Sequence, residues 1–150
     1  MWITVTEESV RDEFTPQEQA ALTAIQGAAE RLPGIVERAV AAARGAIRAG
    51  GYALGEEGTL PDELLGDVIA LARWRWLLSF PQMQRLQTAE RQAAHDRAQA
   101  RLEAVARQRL GVQPPAPGRH PASGEGRSRP PLPGRMDGRP EDRRGHENHH

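Results

Sequence analysis

The stretch that decides the fold is LPDELLGDVIALARWRWLLSF, residues 60–80, closed by Pro81. Both of its ends read as helix ends. Thr59 can cap the N-terminus, Pro61 suits a first turn, and Asp62 and Glu63 place negative charge at the positive end of the helix dipole. At the far end Pro81 drives Phe80 out of helical geometry. Between these limits Leu64, Leu65, Val68, Ile69, Leu71, Trp74, Trp76, Leu77 and Leu78 leave almost no polar face. A helix that is apolar nearly all round belongs in the middle of a bundle or between subunits. The expectation is a core helix over 60–80.

A bilayer span is excluded by Arg73 and Arg75, which fall near the middle of the segment. Each would cost about 2.5 kcal/mol or more at a bilayer centre. On a bundle helix an Arg stem runs along apolar neighbours and its guanidinium reaches a surface or interface.

Upstream, residues 1–5 are β-branched and apolar and are expected to lie extended against the bundle. Thr4 with Glu7 has capping-box spacing and predicts a short helix over 6–13 burying Val10 and Phe14. Thr15-Pro16-Gln17-Glu18 repeats the signal for a second helix that carries Ala21, Leu22 and Ile25 inward and fades near Gly27. Pro33-Gly34 opens a third, running to about Ala49, with Val36, Val40, Ala43 and Ile47 on one face. Its many alanines let a neighbouring helix approach closely. Gly50-Gly51 ends it, and a Gly-bearing loop leads to Thr59.

Downstream, Met83 and Leu86 anchor a turn, and Thr88 or Gln87 begins a long helix to about Leu110 with Gly111 as its C-cap. Ala94, Ala98, Leu102 and Val105 give that helix a narrow apolar stripe. Arg91, Arg97 and Arg101 lie outside the stripe, on a solvated or DNA-facing side. Beyond Val112 the composition changes abruptly. Residues 113–150 are rich in Pro, Gly, Arg and Ser, with no aromatic side chain, and cannot bury enough surface to offset their conformational entropy. The reading is therefore all-α: a bundle of four to five helices over 1–112 with a long C-terminal helix, then a Pro/Gly/Arg-rich tail over 113–150 that is disordered or ordered only by a partner.

Composition narrows the chemistry. Twenty basic residues, all Arg, balance twenty acidic ones, so net charge points to neither nucleic acid nor membrane. There is no cysteine, hence no disulfide, thiolate metal site or Cys nucleophile. The N-terminus lacks a basic region followed by an apolar run, so no signal peptide is expected and synthesis is placed in the cytoplasm. The loop glycines 50, 51, 55 and 58 follow a helix and carry Glu56 and Glu57, which would repel phosphate. His146, His149 and His150 cluster without a rigid frame, and His95 and His120 stand alone. Pro130 to Arg135 fits the PxxPxR spacing read by SH3-type grooves, a match that arises easily in such a tail. No carboxylate pair or Ser/His/Asp set is positioned for catalysis, so no enzyme, cofactor or metal site is expected. Arg73-Trp74-Arg75-Trp76 points around more than half a helix circumference and forms no single stacking platform for nucleic acid. These four residues and Tyr52 are instead candidate core and interface anchors, the tryptophans expected to be partly exposed.

The order of these features resembles a family. WITVTEE (2–8) leads to a short helix with Phe14; AARGAIRAGGY (42–52) ends an Ala-rich helix; TLPDELLGDVIALARWRWLLSFP (59–81) and TAERQAAHDRAQARLEAVA (88–106) follow. This is similar to the head–tail connector, or adaptor, proteins of tailed bacteriophages and their prophage relatives, including the Mu-like connectors. The resemblance covers residues 2–110 and none of the tail. It implies a helical bundle that assembles as a ring, commonly of twelve copies, beneath the portal protein. The ring would join the portal to the next neck or tail component, pass DNA through its channel without sequence-specific binding, and reside in the virion neck, away from any membrane. The alternative from another class is a small DNA-binding or DNA-packaging accessory protein that uses its arginines.

Overall fold

The structure, a computed structural model, describes residues 1–116. The His cluster at 146–150, the PxxPxR match and the rest of the tail from 117 lie outside the described residues. The chain runs through β1 (Trp2–Thr4), α1 (Glu7–Arg11), α2 (Pro16–Thr23), α3 (Ala28–Ala49), β2 (Thr59–Pro61), α4 (Leu65–Leu78) and α5 (Ala89–Ala106). Helices α3, α4 and α5 pack on one another, and α1 lies against α3 and α4.

Helix α4 is the central helix, as its apolar circumference requires. Val68, Leu71, Ala72, Trp76 and Leu77 are all essentially removed from solvent. Its start differs from the expectation. Residues 59–61 are not a first helical turn but a strand paired antiparallel with β1, in the register Trp2↔Pro61, Ile3↔Leu60, Thr4↔Thr59. Asp62–Leu64 is a single 3₁₀ turn between strand and helix. The extended path buries Leu60 completely, and the amide of Asp62 donates to the carbonyl of Met1 (2.8 Å). Long-range pairing with the β-branched N-terminus outweighs the local capping signal. The fold is thus mostly helical with one small two-stranded sheet, rather than purely α.

Three other boundaries move. Helix α3 begins at Ala28, after Gly27 in the left-handed region (φ 83°), and Pro33 sits inside it rather than at its start. There the proline has no amide to donate to the Ala29 carbonyl and crowds it, a cost outweighed by the burial of its neighbours Leu32, Ile35 and Val36 in the core. Helix α1 is capped by Thr6, whose hydroxyl accepts from the Ser9 amide (3.3 Å), because Thr4 is committed to β1. Helix α5 stops at Ala106, and the left-handed residue at its exit is Gln108 (φ 61°) rather than Gly111. The Gln108 side-chain amide holds that turn by donating to the carbonyl of Gly50 (2.9 Å).

The remaining signals sit where the spacing places them. Thr15 and Glu18 form a reciprocal capping box on α2, Thr88 caps α5, and Phe80 is extended (φ −135°, ψ 132°) before Pro81. On α2 the expectation holds only for Leu22, which is buried; Ala21, expected inward, is exposed, and Ile25 is half-buried beyond the helix end at Thr23. Met83 is fully buried in the 3₁₀ segment Pro81–Leu86.

The first tail residues are ordered. The Gln113 amide donates to Glu63 (2.6 Å), its side chain to the Met1 carbonyl (3.3 Å) and to Asp62, and its carbonyl accepts from the Trp2 indole (3.1 Å). Residues 113–116 therefore belong with the folded unit.

Candidate functional site

The four residues at the heart of α4 separate by direction. Trp76 is buried; its indole N–H donates to the carbonyl of Ala28 (2.9 Å), and its ring meets Phe14 edge-on with centroids 5.7 Å apart. Trp74 is also buried, with the His95 ring 6.2 Å away. The expected exposure of the tryptophans is therefore corrected. Both are consumed by the chain's own core, because α4 is enclosed by α1 and α3 on one side and α5 on the other.

Arg73 and Arg75 point to opposite environments. The Arg73 guanidinium is largely buried beside Glu13 (3.7 Å), and its Nε has no hydrogen-bond partner. Burial lowers the pKa of Arg73; neighbouring Arg91 lowers it further, and Glu13 and Glu18 oppose the shift. Arg75 lies half-buried in an open groove of about 630 Å³ between α3, α4 and α5. Among the described residues it forms no ion pair. The groove walls are small: Ala42 and Ala46 on α3, Ala100 and Ala106 on α5, with Leu71 in its lining beside Arg75 and acidic Asp96 and Glu103 at the side. One turn beyond Arg75, Leu78 is 55% exposed. Leu71, Arg75 and Leu78 share one stripe of α4, at i, i+4 and i+7.

The arginines of α5 do not form a continuous basic face. Arg91 is turned inward: it sits over the Phe14 ring (4.9 Å), pairs with Glu18 (2.9 Å) and donates to the carbonyl of Leu86 (2.8 Å). Its assignment to a solvated or DNA-facing side is corrected, since the aromatic ring and the carboxylate together hold it at the bundle surface. Arg101 is exposed but pairs with Asp67 of α4 (2.9 Å). Arg97 is exposed.

Tyr52 is half-buried beside Gly50, and its hydroxyl lies 3.4 Å from the carbonyl of Leu110. It braces the α3 exit against the end of the chain's helical part. The Gly-bearing loop after it is organised by Arg44, which donates to the carbonyls of Gly55 (3.2 Å), Glu56 (3.0 Å) and Thr59 (2.6 Å). A loop whose carbonyls converge on a guanidinium presents the wrong polarity for a phosphate.

A second open groove of about 700 Å³ runs along another side of α3, lined by Val36, Val40, Ala41, Gly45 and Arg44 and rimmed by Glu7, Glu37 and Glu57. Among the described residues no three His, Cys, Asp or Glu side chains converge to hold a metal, and no helix is long and apolar enough to cross a membrane.

The sequence reading missed the groove around Arg75 and the exposed Leu78. A signal existed in the four-residue spacing of the α3 alanines and in the Leu71–Arg75–Leu78 stripe. What hid it was the apparent uniformity of α4. No protein-family model, curated protein or solved structure matches the chain.

Proposed function

We propose that this chain is a structural head–tail connector of a tailed phage, prophage or gene-transfer particle. In this reading it forms a ring, commonly of twelve copies, that joins the portal to the next neck or tail component around the DNA channel. The observation that carries the reading is the ordered run from Ala42 to Ala106: an Ala-rich helix, a Gly-bearing loop, an apolar helix bearing arginines, and a long C-terminal helix. The packing supports it in kind. Phe14, Trp74 and Trp76 are spent inside a small bundle, and the outer faces of α3 and α5 interleave alanines with charged side chains, a surface on which another helix can dock. The reading assigns no catalysis and no cofactor. DNA passes the ring without base readout, and the competing role of DNA-binding accessory finds little support in an α5 face where Arg91 is internal and Arg101 is ion-paired.

The test is the mass of the purified chain, alone and mixed with a portal protein from the same genome, by light scattering and negative-stain imaging. Closed rings, or a stoichiometric portal complex, support the reading. A monomer that neither self-associates nor binds the portal, or one that shifts DNA at low salt, overturns it.

A further inference from the structure

The outer surface of α3 carries residues that the chain's own packing does not explain. Gly34 and Gly45 lie in the helix interior, and a Cβ added at either meets no heavy atom within 4 Å. Glycine inside a helix is entropically unfavourable relative to alanine, and where it sits exposed it lets another backbone approach closely. Among the described residues no element makes that approach. Gly45 belongs to an exposed ridge spaced every four residues: Glu37, Ala41, Gly45 and Ala49. Arg38 and Arg48 flank the ridge, also exposed.

The groove between α3, α4 and α5 is the counterpart of that ridge. It is walled by alanine, and Arg75 within it forms no ion pair among the described residues. Asp96 and Glu103 stand at its α5 side, and Leu78 is exposed beyond it. Glu37 likewise forms no ion pair among the described residues. A ridge of small residues at four-residue spacing fits a groove between helices. Among the described residues the charges are of complementary sign: an unpaired acid on the ridge and an unpaired base in the groove. The two bases beside the ridge likewise complement Asp96 and Glu103 on the groove wall, which among the described residues pair only with His95 (3.2 Å) and Arg107 (3.9 Å).

We propose that the α3 ridge of one copy seats in the α3–α4–α5 groove of a second copy, with Glu37 of the ridge meeting Arg75 of the groove. Ridge and groove are different patches of one surface, so the contact is heterologous and propagates head to tail. Closure of such a contact gives a ring; this inference thus rests on the self-assembly in the proposed function and supplies the surface that performs it.

The chain has no cysteine, which makes cross-linking clean. Gly45→Cys and Ala100→Cys are placed at exposed positions on the ridge and on the groove wall. When the two single variants are mixed and oxidised, the expected product is a covalent heterodimer, and the double variant gives a ladder of covalent oligomers. In parallel, Glu37→Arg and Arg75→Glu should each weaken self-association by about tenfold or more in sedimentation, and their combination should restore it. Rings that form without the Gly45–Ala100 cross-link, or with unchanged assembly in both charge variants, overturn this interface while the connector reading stands. A chain that stays monomeric at its highest soluble concentration, and gives no cross-link with or without portal, overturns both.

Discussion

Arg91 on α5 grips Glu18 on α2 through both carboxylate oxygens, at 3.0 Å and 2.9 Å, across a sequence separation of 73 residues. The same carboxylate accepts from the Thr15 amide (3.0 Å) as half of a capping box. One side chain thus caps the start of α2 and ties the N-terminal arm to the last helix. Burial pushes the Glu18 pKa up, but the Thr15 amide and Arg91 together outweigh it and hold the group below the ordinary glutamate value. Glu18→Gln removes the charge and weakens both bonds, and is expected to destabilise the fold by about 1–3 kcal/mol near neutral pH. Because the folded pKa is depressed, the stabilisation is fully present above the unfolded value of about 4.3 and is lost as pH falls below it through the folded value. Thermal melts of both proteins down a pH series check this: the gap between them should close only on the acid side.

Trp76 joins α4 to the first turn of α3 and to Phe14 at once. Trp76→Phe leaves the buried carbonyl of Ala28 without its indole donor and opens space beside Phe14. A loss of about 1–3 kcal/mol is expected. The denaturant midpoint should fall with the slope of the transition unchanged.

Two glycines, one inside α3 and one at its exit, should respond in opposite directions. At Gly50 an added Cβ would collide with the Val105 carbonyl and the Tyr52 ring, so Gly50→Ala should destabilise by about 1–3 kcal/mol. At Gly45 it meets nothing, so Gly45→Ala should stabilise the monomer by about 0.5–1 kcal/mol. Chemical denaturation at low protein concentration measures both. If Gly45 serves the proposed contact between copies, the same substitution weakens assembly while it strengthens the fold.

Arg44 holds three carbonyls of the loop that leads into β2 and lies over the Trp2 ring (5.9 Å). Arg44→Ala should release the 55–59 loop and loosen the sheet. Amide exchange should speed up at Leu60 and Asp62 with little change in α4 or α5, and global stability should drop by about 1–2 kcal/mol.

Arg73 is the reverse case. Its guanidinium is poorly solvated, its Nε is unpartnered, and its companion Glu13 is half-exposed at 3.7 Å. Replacing such a charge with an apolar chain of similar volume is often neutral or stabilising. Arg73→Met should leave the melting temperature unchanged or raise it, and a clear fall would mean the ion pair with Glu13 contributes more than its geometry suggests.

Much of the fold could be read along the chain because its signals are local. The capping box at Thr15 and Glu18, the Thr88 cap, the Pro81 stop and the left-handed Gly51 each depend on neighbours within about one helical turn. The candidate site was less legible. Trp74 and Trp76 carry the same residue type on nearly opposite sides of α4, and only the positions of α1, α3 and α5 enclose them both.

By itself the sequence determined that α4 would be the buried helix, since a segment apolar on every side has no stable place in water except among other helices. It also set where most helices begin, because capping is a bond between residues a few positions apart. The tertiary structure decided the rest. It turned 59–61 into a strand, because a partner strand nearly sixty residues away satisfies that backbone better than a first helical turn would. It sent Arg73 and Arg91 inward and left Arg75 facing an open groove, because the environment of a charge depends on which helices lie beside it, and that is set by packing across the whole chain.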